Sequence, residues 1–223
     1  MSLLRPVVLI GLIGLVGPIG ALAAPPPLAW QARLNANTVV GLRLTGRTDH
    51  GHAVGGEIVV RKLTNGAWRD VWKQPKLNPW KLIVADVDGD KRPDILVGVW
   101  KKSPYDKVME KRVFVYSWNG VRLMPKWLGS RLSRRFDDFA ASDVDGDGMA
   151  EIFALERCAG GRRRVAEYRW LSFGFEWLAC SAERSGIGKI VAKGRTVTVS
   201  GPGGTFRVRP SKGILRFEGG PRP

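Results

Sequence analysis

The sequence reads Asp86-Val87-Asp88-Gly89-Asp90-Lys91-Arg92-Pro93-Asp94 at one place and Asp143-Val144-Asp145-Gly146-Asp147-Gly148-Met149-Ala150-Glu151 at another, 57 residues later. Both copies carry a carboxylate at positions 1, 3, 5 and 9. Apolar residues lie before and after each copy. A short polar stretch with glycine between two apolar runs is typical of a loop between two β-strands. The pattern therefore predicts a repeated unit of strand, loop and strand.

The two copies concentrate negative charge in a basic chain. They contain eight of the 20 acidic residues, although the formal net charge is +16. Carboxylates placed so closely repel one another unless a cation neutralises them, and calcium takes about six to eight oxygen ligands in a flexible shell. Magnesium requires stricter octahedral geometry, and neither copy contains the histidine or cysteine that zinc and copper favour. The sequence thus predicts two calcium sites.

Strand candidates recur around both copies in the same order. Asn119-Gly120 and Asn65-Gly66 each separate two β-rich runs, which is the strongest short-range signal of a hairpin. The candidates around the first copy are 82–86, 94–100, 112–118 and 121–127, and those around the second are 139–143, 151–157, 163–170 and 175–179. The period is about 55 residues, a spacing in the range of repeat architectures.

Extending this period predicts two degenerate repeats, which lack the pattern of four carboxylates. The downstream one places its loop at 200–203, between strands at 196–199 and 205–209, and the upstream one places it at 47–55, between 39–44 and 57–63. We therefore predict a single all-β domain over 25–223, with calcium-loop repeats near 80–128 and 137–180. Its expected form is a small β-propeller-like array of about four four-stranded repeats, and a β-sandwich is the alternative.

Position 12 distinguishes the known kinds of calcium loop. A helical calcium hand needs a carboxylate there and a helix afterwards. This chain has Val97 and Ala154 instead, both inside apolar runs. The variant with its fourth carboxylate at position 9, set between two strands, resembles the FG-GAP or VCBS repeats of integrin alpha-subunit propellers and many exported bacterial proteins.

This resemblance implies a ligand set in each loop: the carboxylates at positions 1, 3, 5 and 9 and the backbone carbonyl at position 7. The family favours glycine at position 6, where the first loop has Lys91 and the second has Gly148. The ligands implied are Asp86, Asp88, Asp90, the carbonyl of Arg92 and Asp94 in the first loop, and Asp143, Asp145, Asp147, the carbonyl of Met149 and Glu151 in the second. The implied ions are two structural Ca2+.

The N-terminal segment 1–24 has the pattern of a secretory signal peptide. Arg5 is followed by an apolar stretch, and Ala21-Leu22-Ala23 provides small residues before a run of three prolines. We expect export to the periplasm or the outside, where calcium is abundant enough to fill weak sites. An uncleaved signal anchor that tethers the protein to the membrane is the alternative.

The chain has two cysteines, Cys158 and Cys180. An oxidising compartment permits them to pair, so a disulfide bond is expected; two buried free thiols are the alternative.

The excess of basic residues indicates an anionic partner or surface, such as an envelope polysaccharide, lipid headgroups or extracellular nucleic acid, although sequence-specific nucleic-acid binding is not supported. A protein partner is also open, and a solvated basic surface that only aids solubility is the alternative. The clusters are Lys101-Lys102, Lys111-Arg112, Arg131 with Arg134-Arg135, and Arg162-Arg163-Arg164.

Two classes of function follow from these features. The first is a non-enzymatic, exported, calcium-binding interaction or scaffold module, because the sequence offers no nucleophile and base pair and no small-molecule cofactor motif. The alternative is a hydrolase of an anionic polysaccharide or other anionic polymer, with acidic residues such as Asp137-Asp138 as acid and base.

Overall fold

The structure is a computed structural model, and it describes residues 25–49, 51–103, 106–129 and 132–220. The predicted signal segment and Arg131 lie outside the described residues. Strands dominate the described part of the chain, and its one helical segment is a single 3-10 turn at Ala159–Gly161. The all-β prediction is confirmed.

None of the helical structure in these described residues has the length and hydrophobicity to cross a membrane.

Four antiparallel sheets of four strands follow one another along the chain. The first six strands are β1 (Trp30–Asn35), β2 (Thr38–Arg43), β3 (Thr48–Asp49), β4 (His52–Ala53), β5 (Glu57–Thr64) and β6 (Ala67–Gln74). Sheet 1 has the strand order β1-β2-β5-β6, and a small hairpin of β3 and β4 is inserted between its second and third strands.

The other three sheets are simple meanders, in which each strand pairs with the next one in the chain. Sheet 2 consists of β7 (Pro79–Ala85), β8 (Asp94–Lys101), β9 (Glu110–Trp118) and β10 (Leu123–Trp127). Sheet 3 consists of β11 (Phe136–Ser142), β12 (Glu151–Arg157), β13 (Arg163–Leu171) and β14 (Gly174–Cys180). Sheet 4 consists of β15 (Lys189–Lys193), β16 (Thr196–Gly201), β17 (Gly204–Ser211) and β18 (Ile214–Glu218).

The sheets pack face to face in chain order, which explains the unbroken apolar runs after the acidic loops. Successive side chains of a strand point to opposite faces. In β8, Leu96 enters the core between sheets 2 and 3, whereas Ile95 and Val97 enter the core between sheets 1 and 2. In β12, Ile152 and Phe153 likewise enter different cores. Both strands are buried on two faces, so the stretches 95–99 and 152–155 are apolar at every position.

The first strands of the sheets lie side by side. Strand β7 contacts β1 and β11, and β11 contacts β15. Polar groups join these strands: the Nζ of Lys81 lies 2.6 Å from Oδ1 of Asp138, and Oδ2 of Asp138 accepts a hydrogen bond of 3.0 Å from the backbone N–H of Ile190. The first strands of sheets 2, 3 and 4 are therefore joined by this network of polar contacts, in addition to the hydrophobic cores between the sheets.

The position predicted for the loops of the outer repeats was wrong. The turn that corresponds to the acidic loops joins the first and second strands of a sheet, which is Ala36-Asn37 in sheet 1 and Gly194-Arg195 in sheet 4. The segments 47–55 and 200–203 instead lie between second and third strands. The cause is that β1, β15 and β18 were missed, since they are polar and mostly exposed on one face and lack a strong apolar run.

The predicted disulfide is absent from the structure, where Cys158 and Cys180 are both free thiols. Cys158 follows β12 and its N–H donates to Arg162, whereas Cys180 in β14 is opposite Ala166. The cysteines therefore lie two strands apart and are offset by four residues. This places their Cα atoms roughly 16 Å apart, beyond the limit of about 7 Å for a disulfide.

Candidate metal centre

The two acidic loops join β7 to β8 and β11 to β12, and they lie against each other at one end of sheets 2 and 3. The backbone carbonyl of Asp86 accepts a hydrogen bond of 2.7 Å from the N–H of Ala150. A Cβ on Gly89 would lie 2.9 Å from Cγ of Met149, so the loops are in van der Waals contact. We call residues 86–94 loop 1 and residues 143–151 loop 2.

Each loop is folded around its first carboxylate. This group accepts hydrogen bonds from the backbone N–H groups at positions 4 and 6, while the carboxylate at position 9 accepts one from position 2. These hydrogen bonds between carboxylates and backbone N–H groups stabilise a tight turn between the two apolar strands. Position 6 takes a positive φ in both loops, 64° at Lys91 and 95° at Gly148, which glycine adopts more readily than lysine.

Loop 2 gathers three of its carboxylates. Oxygens of Asp143, Asp145 and Glu151 lie within 4.8 Å of one another. Glu151 is buried, with 1% of its surface exposed, and its Oε1 atom has no hydrogen-bond partner. Burial raises the pKa of Glu151 to about 7, the N–H of Val144 opposes this shift, and the charge of Asp145 adds to it. Three carboxylates with nearby hard oxygens, one of which is buried and has a free oxygen atom, are suited to a divalent cation such as calcium.

A further buried carboxylate lies close to loop 2. Glu167 in β13 is 6% exposed, and burial followed by the charge of Asp145 raises its pKa to about 7. It does not belong to the group of three oxygens that lie within 4.8 Å. Glu167 therefore adds negative potential to the site from outside the loop.

Loop 1 gathers a different set of carboxylates. Oxygens of Asp86, Asp88 and Asp90 lie within 4.8 Å of one another, but Asp94 at position 9 is not among them. Lys126 of β10 approaches instead, and its Nζ lies 2.6 Å from Oδ2 of Asp88 and 2.6 Å from Oδ1 of Asp94. The deepest carboxylate of loop 1 is thus neutralised by an ammonium group of the same chain.

The protonation equilibria around Lys126 agree with this contact. Burial acts to lower the pKa of Lys126, but its hydrogen bonds to Asp88 and Asp94 outweigh burial and leave the pKa raised. Burial also acts to raise the pKa of Asp88, yet the hydrogen bond and charge of Lys126 leave it lowered. Burial does prevail at Asp94, whose pKa is raised in spite of Lys126. Lys126 and Asp88 are therefore an ion pair at neutral pH.

The outer edge of loop 2 has its own basic neighbour. Arg169 of β13 forms an ion pair with Asp147, and its Nη1 lies 3.5 Å from Asp145. Asp147 does not belong to the group formed by the other three carboxylates. The N–H groups of Arg92 and Met149 donate to the carboxylates at position 5, 2.8 Å from Asp90 and 2.9 Å from Asp147. The two position-7 carbonyls remain predicted ligands.

Sequence reasoning missed Lys126, Arg169 and Glu167. All three lie on strands that follow the acidic loops in the chain. The number of residues between a loop and its basic neighbour differs between the two repeats. Lys126 comes 32 residues after Asp94, whereas Arg169 comes 18 residues after Glu151. Only the pairing of strands brings them to the carboxylates, so no local signal predicts them.

The acidic pair considered for catalysis is held in salt bridges. Asp137 binds Arg157 and Arg163, and Asp138 binds Lys81 at 2.6 Å. Burial acts to raise the pKa of Asp137, but the two arginines outweigh it and leave the pKa lowered. A general acid needs a raised pKa, so this environment does not favour that role for Asp137.

No protein-family model matches the chain, and no curated protein matches it either.

The metal-free protein is expected to gain stability as the pH falls from about 7 to about 4.5. The pKa values of Glu151 and Glu167 are about 7 in the folded state, against 4.5 ordinarily. The folded protein therefore binds protons more tightly than the unfolded chain, so this contribution is complete below 4.5 and is lost as the pH rises through 7. Melting temperatures measured in chelator between pH 4.5 and 8 test this; a flat profile would contradict it.

Proposed function

We propose that the protein is a calcium-stabilised repeat domain of the β-propeller type, similar to FG-GAP or VCBS repeats, that serves as a non-enzymatic interaction or scaffold module. The observation that carries the proposal is Glu151 Oε1, a buried carboxylate oxygen without a hydrogen-bond partner, placed within 4.8 Å of oxygens of Asp143 and Asp145. A bound calcium ion would satisfy this oxygen and cancel the repulsion of the three charges.

The arrangement of the sheets supports a propeller more than a sandwich. Each sheet is a four-stranded antiparallel unit, the units pack face to face in chain order, and their first strands lie side by side. These are the relations among the blades of a propeller. Three hydrophobic cores join sheets 1 to 2, 2 to 3 and 3 to 4. The proposed array is thus a row of four blades, with the acidic loops in the two central ones.

Calcium in this design has a structural role. Loop 2 contacts loop 1 through Ala150 and Asp86, and its Gly146 lies against Arg195 of sheet 4. Ser142, the last residue of β11 before the loop, donates from its hydroxyl to the carbonyl of Gly194 at 2.8 Å. An ion that fixes loop 2 would therefore stabilise three neighbouring blades together. Because the folded state alone offers the site, binding adds stability by mass action.

Calcium is expected to raise the melting temperature of the purified protein, and excess chelator is expected to lower it. At a free calcium concentration 100 times the dissociation constant, the gain is about 2.7 kcal/mol. A thermal melt followed by circular dichroism measures this, and readdition of calcium after chelation should restore the transition. Magnesium at the same concentration serves as the control, because it should act more weakly. Identical melts in chelator and in calcium would refute the proposal.

The basic residues suggest where a partner binds. The end of sheets 2 and 3 opposite the acidic loops carries six exposed basic side chains, which we call the basic end: Lys102, Lys107, Arg134, Arg135, Arg157 and Arg162. Arg135, Arg157 and Arg162 pair with Glu110, Asp137 and Glu183. Within the described residues, the other three have no ion-pair partner. We propose this surface as the contact for an anionic polymer or an anionic envelope surface, in keeping with export through segment 1–24.

Replacing Lys102, Lys107 and Arg134 together with alanine is expected to weaken binding to a polyanion such as heparin about tenfold, because each lost charge contributes about 0.5 kcal/mol at an exposed position. Affinity measured over a range of salt concentrations tests this, and binding should weaken as salt increases. The matched control replaces Arg122, Lys193 and Lys212, which are exposed at the other end of the strands. Equal losses in the two triple variants, or depolymerised product, would contradict the proposed role.

A further inference from the structure

The two acidic loops differ in what neutralises their deepest carboxylate, at position 9. In loop 1 this group is Asp94, whose Oδ1 lies 2.6 Å from the ammonium nitrogen of Lys126. In loop 2 it is Glu151, whose Oε1 has no hydrogen-bond partner. Both residues are buried, each with 1% of its surface exposed. The same position of the repeat is therefore satisfied in one blade and unsatisfied in the next.

The strand pairing identifies the residue of sheet 3 that corresponds to Lys126. In sheet 2, Pro125 pairs with Tyr116 and Trp127 pairs with Val115, so Lys126 forms a bulge between them. In sheet 3, Trp177 pairs with Tyr168 and Ala179 pairs with Glu167, with Leu178 left out in the same way.

Tyr116 and Tyr168 are themselves equivalent, because they pair with Ile95 and Ile152, the residues that directly follow position 9. Leu178 is 38% exposed and apolar, so it cannot act as a cation for loop 2.

Arg169 does not take over that role. It binds Asp147 and approaches Asp145 at 3.5 Å, and both of these carboxylates are exposed at the outer edge of the loop. No contact joins Arg169 to Glu151 in the described structure. The guanidinium of Arg195 packs against Gly146 of the same loop but forms no ion pair with its carboxylates among the described residues. Glu151 itself therefore has no cationic partner in the described part of the chain.

We infer that the two loops use different cations: loop 2 binds a divalent ion, and in loop 1 the ammonium group of Lys126 takes the place of that ion. The inference rests on the proposed calcium-binding function and narrows it to one of the two loops. For calcium to take the full ligand set implied for loop 1, Lys126 would have to leave Asp88 and Asp94, and its side chain is only 16% exposed. A displaced and poorly hydrated ammonium group beside a divalent ion would oppose binding strongly.

Native mass spectrometry with calcium titration tests the inference on the purified protein. The unmodified protein is expected to bind one calcium ion. Lys126→Leu, which introduces the residue found at the equivalent place in sheet 3, is expected to bind two. Two ions in the unmodified protein would overturn the inference while leaving the proposed function intact, and one ion in a folded Lys126→Leu variant would also overturn it.

A matched pair at position 3 provides a test that does not depend on Lys126. Asp145→Asn is expected to weaken calcium binding at least tenfold, whereas Asp88→Asn should leave the affinity within about twofold of the original, given that a lost charged ligand costs about 1.4 kcal/mol or more. Equal losses in the two variants would overturn the inference. If no variant and no form of the protein binds calcium, the proposed function itself fails.

Discussion

Glu151→Gln is expected to raise the melting temperature of the metal-free protein and to abolish its response to calcium. Glu151 is buried with its Oε1 unpartnered, and its pKa of about 7 means that ionisation is costly in the folded state. At pH 8 the neutral amide removes a penalty on the order of 3 kcal/mol. For a chain of this size 1 kcal/mol corresponds to about 2–4 °C, so the shift should be several degrees. Melts at pH 8, in chelator and in calcium, measure both effects.

Glu167→Gln is the matched control for this substitution. Glu167 is also buried, and its pKa is also raised to about 7, but it lies outside the group of three oxygens in loop 2. Its replacement should stabilise the metal-free protein to a similar degree and leave most of the calcium response in place. A calcium-induced shift that persists undiminished in Glu151→Gln would rule out Glu151 as a ligand.

Arg112→Met is expected to destabilise the protein by about 3–5 kcal/mol, because it breaks a buried network and leaves its polar groups unpaired. Arg112 has no exposed surface. Its Nε donates to the carbonyl of Lys101 at 2.7 Å, and its Nη2 donates to the carbonyl of Val108 at 2.9 Å and lies 3.1 Å from Oδ2 of Asp106. The methionine keeps much of the apolar volume but none of these donors. Chemical denaturation of both proteins measures the difference.

Arg112→Met is also expected to weaken binding to a polyanion. Arg112 binds residues of the connection between β8 and β9, and this connection carries Lys102 and Lys107 of the basic end. For the loss of stability, Arg135→Met is the control, because the Arg135 side chain is 53% exposed and its one ion-pair partner among the described residues is Glu110. It should cost less than about 1 kcal/mol. Equal costs for the two substitutions would refute the role assigned to the buried guanidinium.

The sequence predicted the inner strands of the fold well because they are buried on both faces. The apolar runs before and after the acidic loops, together with Asn65-Gly66 and Asn119-Gly120, predicted strands that the structure confirms within a few residues. Trp30–Asn35 and Lys189–Lys193 were missed, because half-exposed first strands carry many polar side chains and little apolar signal. Because these two first strands were missed, the predicted loops of the outer repeats were displaced by one strand.

The candidate site was predictable only in part, because the sequence shows local spacing but not contacts between distant strands. The spacing of the carboxylates identified both loops, since every residue involved lies within nine positions. It could not show that Lys126 reaches Asp94 or that Glu151 lacks such a neighbour, because these facts depend on pairing between distant strands. The disulfide prediction failed in the same way: compatible residue types were present, but the strand register places Cys158 and Cys180 too far apart.

The most direct test of the calcium proposal is an anomalous-scattering map from crystals of the protein grown in calcium. A peak is expected in loop 2, about 2.3–2.6 Å from oxygens of Asp143, Asp145 and Glu151. No equivalent peak is expected in loop 1, where Lys126 should remain on Asp88 and Asp94. A map without a peak in loop 2 at saturating calcium would refute the proposal that this loop binds the ion.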